Sequence, residues 1–268
     1  MKTVIIQSIC IGAISLLGAC NQSANESEEK DLISNEGVVT TEETKTLLQH
    51  RLAEKKEAWH LNTPDEKKAI VQDHIQEVIN DSIVHRALQK GELAPDFILT
   101  NAEGKNVSLS EYLKKGPVVL TWYRGGWCPY CNLTLHALQD ELPNIIAAGG
   151  YLLALTPELP DNSLDTKEKH ELQFEVLSDV DNVVGHQYGI VYEMTPELAD
   201  LYHKKFNIYS YNGEENNQLP LAATYVIDQR GIVEYAFLDP DYRHRAEPQE
   251  ITKVLLYLRD HAALNSVN

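Results

Sequence analysis

Cations are scarce in this sequence: Lys and Arg number 23 against 40 Asp and Glu, for a formal net charge of −17 over 268 residues. That balance argues against nucleic acid as a partner, because phosphate contacts need clustered cations. It describes an acidic, soluble surface. Cysteine is scarce too, with Cys10, Cys20, Cys128 and Cys131 making up the four present, so a disulfide-rich scaffold is excluded. Only Cys128 and Cys131 lie in sequence that patterns as folded. No second Cys pair and no His-x-x-x-His-like partner accompanies them, which leaves a zinc site short of ligands, and the residues imply no cofactor. No internal repeat occurs, and the length suits one sizeable domain with an extension.

What the chain does hold is a stretch built for sulfur chemistry. The apolar run Val118-Val119-Leu120-Thr121-Trp122-Tyr123 reads as a buried strand, and Arg124-Gly125-Gly126-Trp127-Cys128-Pro129-Tyr130-Cys131 follows it. A Cys-x-x-Cys at a helix start puts two sulfurs in the field of that helix N-terminus, which favours thiolates. The spacing lets the pair join and part as one disulfide. Trp122, Tyr123, Trp127 and Tyr130 read as core and site walls. Arg124 is the nearest fixed cation.

At the other end, Met1-Lys2-Thr3 and the mostly apolar Val4 to Ala19 have the form of a secretory signal, too short and wrongly flanked for a settled membrane span. The run closes on Leu17-Gly18-Ala19-Cys20, which resembles the bacterial lipobox. That likeness implies lipidation at Cys20 and residence in the cell envelope, on the periplasmic or outer face of a membrane. Residues 21–41 are polar and read as a disordered tether.

Residues 42–90 read as a helical extension of two helices, Glu42 to His60 and Thr63 to Leu88. Thr63 is the expected N-cap, Pro64 the first helical residue, and Glu66 completes a capping box. Val71, Ile75, Val78, Ile79 and Ile83 recur at helical spacing. Their apolar face either packs on the main domain or makes a homodimer contact. His50, His60, His74 and His85 show no metal-ligand pattern and read as surface residues.

Residues 91–262 read as the main domain. A hairpin over Ala94–Leu109 precedes the long strand. A helix from Leu133 to Leu142 follows the cysteines, with Pro143 disturbing it. Strands at Tyr151–Thr156 and Phe174–Ser178 come next, then helices at Asp181–Tyr188 and Pro196–Phe206. A hairpin of Ala223–Asp228 with Ile232–Phe237 and a last helix over Pro248–Leu258 complete it. The fold class is α/β, a mixed sheet with helices on both faces. His136 reads as solvated, and Asp239–Arg245 as a charged loop, with Arg243 or Arg245 reaching the site as the alternative.

Ala94-Pro95-Asp96-Phe97, the strand ending in Tyr123, the Cys-x-x-Cys, and Tyr225-Val226-Ile227-Asp228 with Gly231 together resemble the thioredoxin-fold peroxiredoxins, in particular the alkyl hydroperoxide reductase and thiol-specific antioxidant group. The likeness spans roughly Gly91 to Leu258. It implies a peroxidase for hydrogen peroxide and organic hydroperoxides, recycled by a thioredoxin-like reductant. The family pattern Pro-x-x-x-Thr/Ser-x-x-Cys falls with Arg124 at its Pro, Cys128 at its Thr and Cys131 at its peroxidatic Cys, and Ala222 stands where the family's later Arg would be. The resemblance therefore implies Cys131 as the attacking sulfur, Cys128 as the resolving one, and Arg124 in place of the missing Arg. The reverse order of the cysteines is open on chemical grounds, because the N-terminal Cys of such a pair is usually the more exposed. Cys-Pro-Tyr-Cys is also similar to a glutaredoxin site, so a thiol-disulfide oxidoreductase is the alternative activity. A binding module on the same fold is a third.

Overall fold

The computed structural model describes residues 47–213 and 217–265. The expected signal segment, tether and lipidation at Cys20 lie outside them. Among the described residues the helices are α1 Leu48–Asn62, α2 Asp65–Asn80, α3 Ile83–Arg86, α4 Leu109–Leu113, α5 Pro129–Ala147, α6 Pro160–Lys169, α7 Val183–Gln187, α8 Pro196–Phe206, α9 Ile208–Asn212 and α10 Pro248–Asn265. The strands are β1 Ile98–Asn101, β2 Asn106–Ser108, β3 Val118–Trp122, β4 Tyr151–Thr156, β5 Glu175–Ser178, β6 Val191–Glu193, β7 Gln218–Pro220, β8 Thr224–Ile227 and β9 Val233–Phe237.

Seven of these strands form one mixed sheet in the order β2-β1-β5-β4-β3-β8-β9, and β6 and β7 pair separately. β3 runs parallel to β4, as β4 does to β5, while β8 lies antiparallel to β3 on its other side. β3 is therefore central, and its residues are apolar because both faces are covered: Val118, Val119 and Leu120 are fully buried. Its one hydroxyl, on Thr121, is satisfied across the strands by Thr224 at 3.0 Å. The parallel register sets Trp122 beside Leu155, so the C-terminal ends of β3 and β4 open side by side. Functional groups collect in such crevices.

The helical segment before the sheet packs within the chain. Leu48, Leu52, Val71, Ile75 and Val78 belong to the same buried cluster as Leu120 and Leu135. Ile79, expected on that face, is exposed. α2 begins one residue later than expected, with Pro64 at the N-cap and no side-chain cap bond, so Thr63 does not cap it. It also stops at Asn80, well short of Leu88. Asn80-Asp81-Ser82 carry side chains that compete with the helix backbone, and Ser82 takes a left-handed φ of 56°. His74 is buried rather than exposed, packed at a tilt against the Tyr192 ring with its Nδ1 accepting the Thr195 N–H at 3.4 Å. Burial and the charge of Arg124 lower its pKa to about 4.

α5 starts at Pro129 and runs through Pro143 to Ala147. Pro143 is exposed while Leu142 and Ile145 beside it are buried, so packing of the inner face holds the helix through the lost hydrogen bond. The short pair β6–β7 and helix α9 gave no periodic signal, being three to five residues long.

Candidate active site

β3 delivers the chain to the site, and two glycines turn it out of the sheet. Tyr123 still pairs its N–H with the Leu155 carbonyl at 2.9 Å. Gly125 then takes a φ of +147°, where a Cβ would lie 2.1 Å from Trp127 Nε1. Gly126 has no room for a side chain either, since its Cβ would meet Thr166 Oγ1 at 2.2 Å. The Cys128 N–H closes the turn on the Gly125 carbonyl at 3.0 Å, and Cys128 becomes the N-cap of α5 with Pro129 at the first helical position. Asn132 Nδ2 donates back to the Gly126 carbonyl at 2.9 Å, tying the helix to its entry loop.

Cys128 and Cys131 come together as expected, both as free thiols and both fully buried. Arg124, also expected, lies on them: its Nη2 donates to Cys128 Sγ at 3.2 Å and its backbone N–H to Cys131 Sγ at 3.5 Å. The guanidinium is itself buried, stacked 3.7 Å from the Tyr242 ring centre and flanked by Trp127 and Tyr202. Arg245 reaches the site as well, its Nη2 donating to Cys131 Sγ at 3.5 Å. This corrects the surface-loop expectation for that arginine. Arg243 does not reach it, being held in a two-pronged ion pair with Asp241 at 2.7 Å. Ala222 is a buried apolar residue between β7 and β8, so the cations at the sulfurs come from Arg124 and Arg245.

The two thiols are unequal. Burial alone would push the Cys128 thiol up, but the S–H of Cys131 and the charges of Arg124 and Arg245 outweigh it and hold Cys128 well below the usual thiol range. Cys131 is pushed well above that range by burial and by its bond to, and the charge of, Cys128. Cys128 is thus the more readily deprotonated of the two, with Cys131 as its hydrogen-bonding neighbour.

Glu158, two residues past β4, is a site residue that the motifs did not disclose. It is fully buried, accepting the Gly126 N–H at 2.8 Å, the Tyr123 hydroxyl at 3.0 Å and the Thr166 hydroxyl at 3.4 Å. Burial raises its pKa to about 7 against the pull of those three donors. No local motif marks it: it falls beside Gly126 because β3 and β4 are parallel neighbours, which brings the segments just beyond them together. His136, expected in solvent, is half-buried and bonded to His170 at 2.9 Å, fastening α5 to the end of α6.

A profile of the AhpC/TSA family matches residues 90–236. The chain belongs to the AhpC/TSA family. Chloroplastic peroxiredoxin Q of Oryza sativa subsp. japonica is 30% identical over 155 residues, 58% of this chain and 61% of the rice protein. The chain thus spans about three fifths of that relative's length. Chloroplastic peroxiredoxin Q of Triticum aestivum is 28% identical over 181 residues, 67% of this chain and 73% of the wheat protein. Among solved structures, the Mycobacterium tuberculosis peroxidoxin BcpB superposes with a TM-score of 0.51 at 19% identity, over 64% of this chain and 98% of that one. This likeness shows the fold, the thioredoxin-like sheet with flanking helices. α1 and α2 precede the family match.

Proposed function

We propose that this AhpC/TSA protein is a thiol-dependent peroxidase working through Cys128 and Cys131. The observation that carries the reading is the Arg124 guanidinium 3.2 Å from Cys128 Sγ, a buried cation fixed on a sulfur whose neighbour is a second thiol. The Cys128 thiolate attacks the terminal peroxide oxygen, the O–O bond breaks, and the alkoxide takes a proton from solvent to leave as alcohol. Arg124 stabilises the charge that moves onto the departing oxygen. Cys131 then attacks the sulfenic sulfur of Cys128, its proton leaving with the hydroxide as water. A thioredoxin-like dithiol takes up the resulting disulfide and restores both thiols.

The family resemblance implied the opposite order, with Cys131 attacking and Cys128 resolving. The lowered Cys128 thiol, which accepts from the Cys131 S–H and from the Arg124 side chain, favours Cys128 as the nucleophile. Both sulfurs are fully buried, and a small hydroperoxide reaches a buried sulfur with less displacement than a protein disulfide does. That favours the peroxidase over the oxidoreductase alternative. The test is a paired assay with a thioredoxin system: the wild type should consume hydroperoxide and reduce insulin poorly, and the converse result refutes the reading.

We also infer that the protein is an envelope lipoprotein anchored through Cys20. Metabolic labelling with a fatty acid should mark the wild type and miss Cys20→Ser. Equal labelling of both would refute the anchor.

A further inference from the structure

Beside the thiols lies a cavity of about 500 Å³, within the range of small-molecule sites. Arg124 lines it while also touching Cys128 Sγ, so the cavity ends one guanidinium away from the nucleophile. Its body is aromatic, with Trp59, Trp127 and Phe206 among the walls. Its outer part carries three exposed lysines: Lys55 on α1, Lys67 on α2 and Lys205 on α8.

The charge there is the reverse of the molecule's. Four cations line the cavity and no Asp or Glu does, in a chain whose net charge is −17. Sequence neighbours of two of these lysines are paired, Lys68 with Asp65 at 2.9 Å and Lys204 with Asp200 at 2.6 Å. Lys55, Lys67 and Lys205 make no ion pair among the described residues, and Lys205 lies over the Phe206 ring at 4.9 Å. An apolar slot with unpaired cations at one end and a reactive sulfur behind the other selects a molecule that is anionic at one end and apolar along its length.

We propose that the cavity binds an amphipathic hydroperoxide bearing a carboxylate, a hydroperoxy fatty acid in chemical class, and that Lys55, Lys67 and Lys205 determine this specificity. The inference rests on the peroxidase reading for its hydroperoxide, but the carboxylate site stands on the cavity alone. The acyl chain lies against Trp59, Trp127 and Phe206, the carboxylate meets the lysines, and the O–O group comes to Arg124. Two of the three lysines sit on α1 and α2, outside the family match, so the helical segment brings a selectivity of its own to the family's site.

The experiment has two arms on the full chain. In the first, dodecanoate below its micelle concentration is titrated by tryptophan fluorescence, with dodecanol as the uncharged probe. Lys55→Gln/Lys67→Gln/Lys205→Gln should weaken dodecanoate about tenfold, the effect of a few exposed charge pairs together, and leave dodecanol alone. Lys68→Gln/Lys204→Gln, which removes the paired lysines, should bind dodecanoate like the wild type. In the second arm the wild type should turn over linoleic acid hydroperoxide with a higher kcat/KM than its methyl ester, and the triple variant should lose that ratio. Lysine-dependent dodecanoate binding without peroxide consumption sustains the carboxylate site and refutes the peroxidase. Peroxide consumption with acid and ester equal, or dodecanoate binding unchanged by the triple substitution, overturns the inference while the peroxidase stands.

Discussion

Arg124 Nη2 lies 3.2 Å from Cys128 Sγ, and the same guanidinium is stacked on Tyr242 with 3.7 Å between its central carbon and the ring centre. The ring holds the cation against the sulfur, where its charge adds to the Cys131 S–H in lowering the Cys128 thiol. An arginine suits this double contact because its planar group stacks and donates at once, which a lysine ammonium does not do.

Replacing Arg124 with Met should therefore raise the Cys128 pKa by about 1–3 units, as expected for losing an opposite charge at contact distance. The inflection in alkylation rate against pH moves up accordingly, and hydroperoxide turnover falls about 100-fold. Arg124→Lys should recover part of the pKa and little of the turnover. An alkylation profile unchanged in Arg124→Met would show that the cation does not set the thiolate.

The order of attack can be read directly. With a dimedone-type probe present, hydroperoxide should label Cys128 in Cys131→Ser and leave Cys131 unlabelled in Cys128→Ser. Labelling confined to Cys131 would restore the order that the family pattern implied.

Glu158 ties stability to pH. Its folded pKa of about 7 lies above the ordinary carboxyl value, so the native state keeps a proton that the unfolded chain releases. Its contribution is fully present below the unfolded pKa and is lost as pH rises through about 7. Urea unfolding should thus show up to roughly 3 kcal/mol less stability from this group at about pH 8 than at about pH 4. Glu158→Gln, which keeps an acceptor for the Gly126 N–H, should flatten that slope. A slope equal in both proteins would remove Glu158 as its source.

The entry loop is packed to the limit at Gly126. Gly126→Ala drives its Cβ into Thr166 Oγ1, and overpacking of this kind costs about 1–3 kcal/mol. Gly126→Ala/Thr166→Ala removes the obstructing hydroxyl and should recover most of that loss in thermal unfolding. No recovery would mean that the glycine serves backbone freedom instead of space.

Much of this architecture was legible in local pattern. The apolar β3, the Cys-x-x-Cys at a helix start and α8 over Pro196–Phe206 follow from periodicity, glycine and proline, and Arg124 from its place beside the cysteines. Glu158 was not, and Arg245 only as the alternative to a surface loop, for different reasons. Glu158 sits next to Gly126 only because β3 and β4 are parallel neighbours, a property of sheet order. Arg245 reaches Cys131 from 114 residues away through a loop whose path no short-range preference encodes. His74 and His136 were misjudged because an isolated histidine carries no sign of which face of its helix will be covered.

The most direct measurement is a single turnover. Reduced protein is mixed with an equimolar hydroperoxide in the absence of any reductant, and alcohol, free thiols and peptide linkage are quantified together. The account predicts one alcohol formed per chain, loss of the Cys128 and Cys131 thiols, and a disulfide joining those two residues. Both thiols remaining free while the hydroperoxide persists would contradict it.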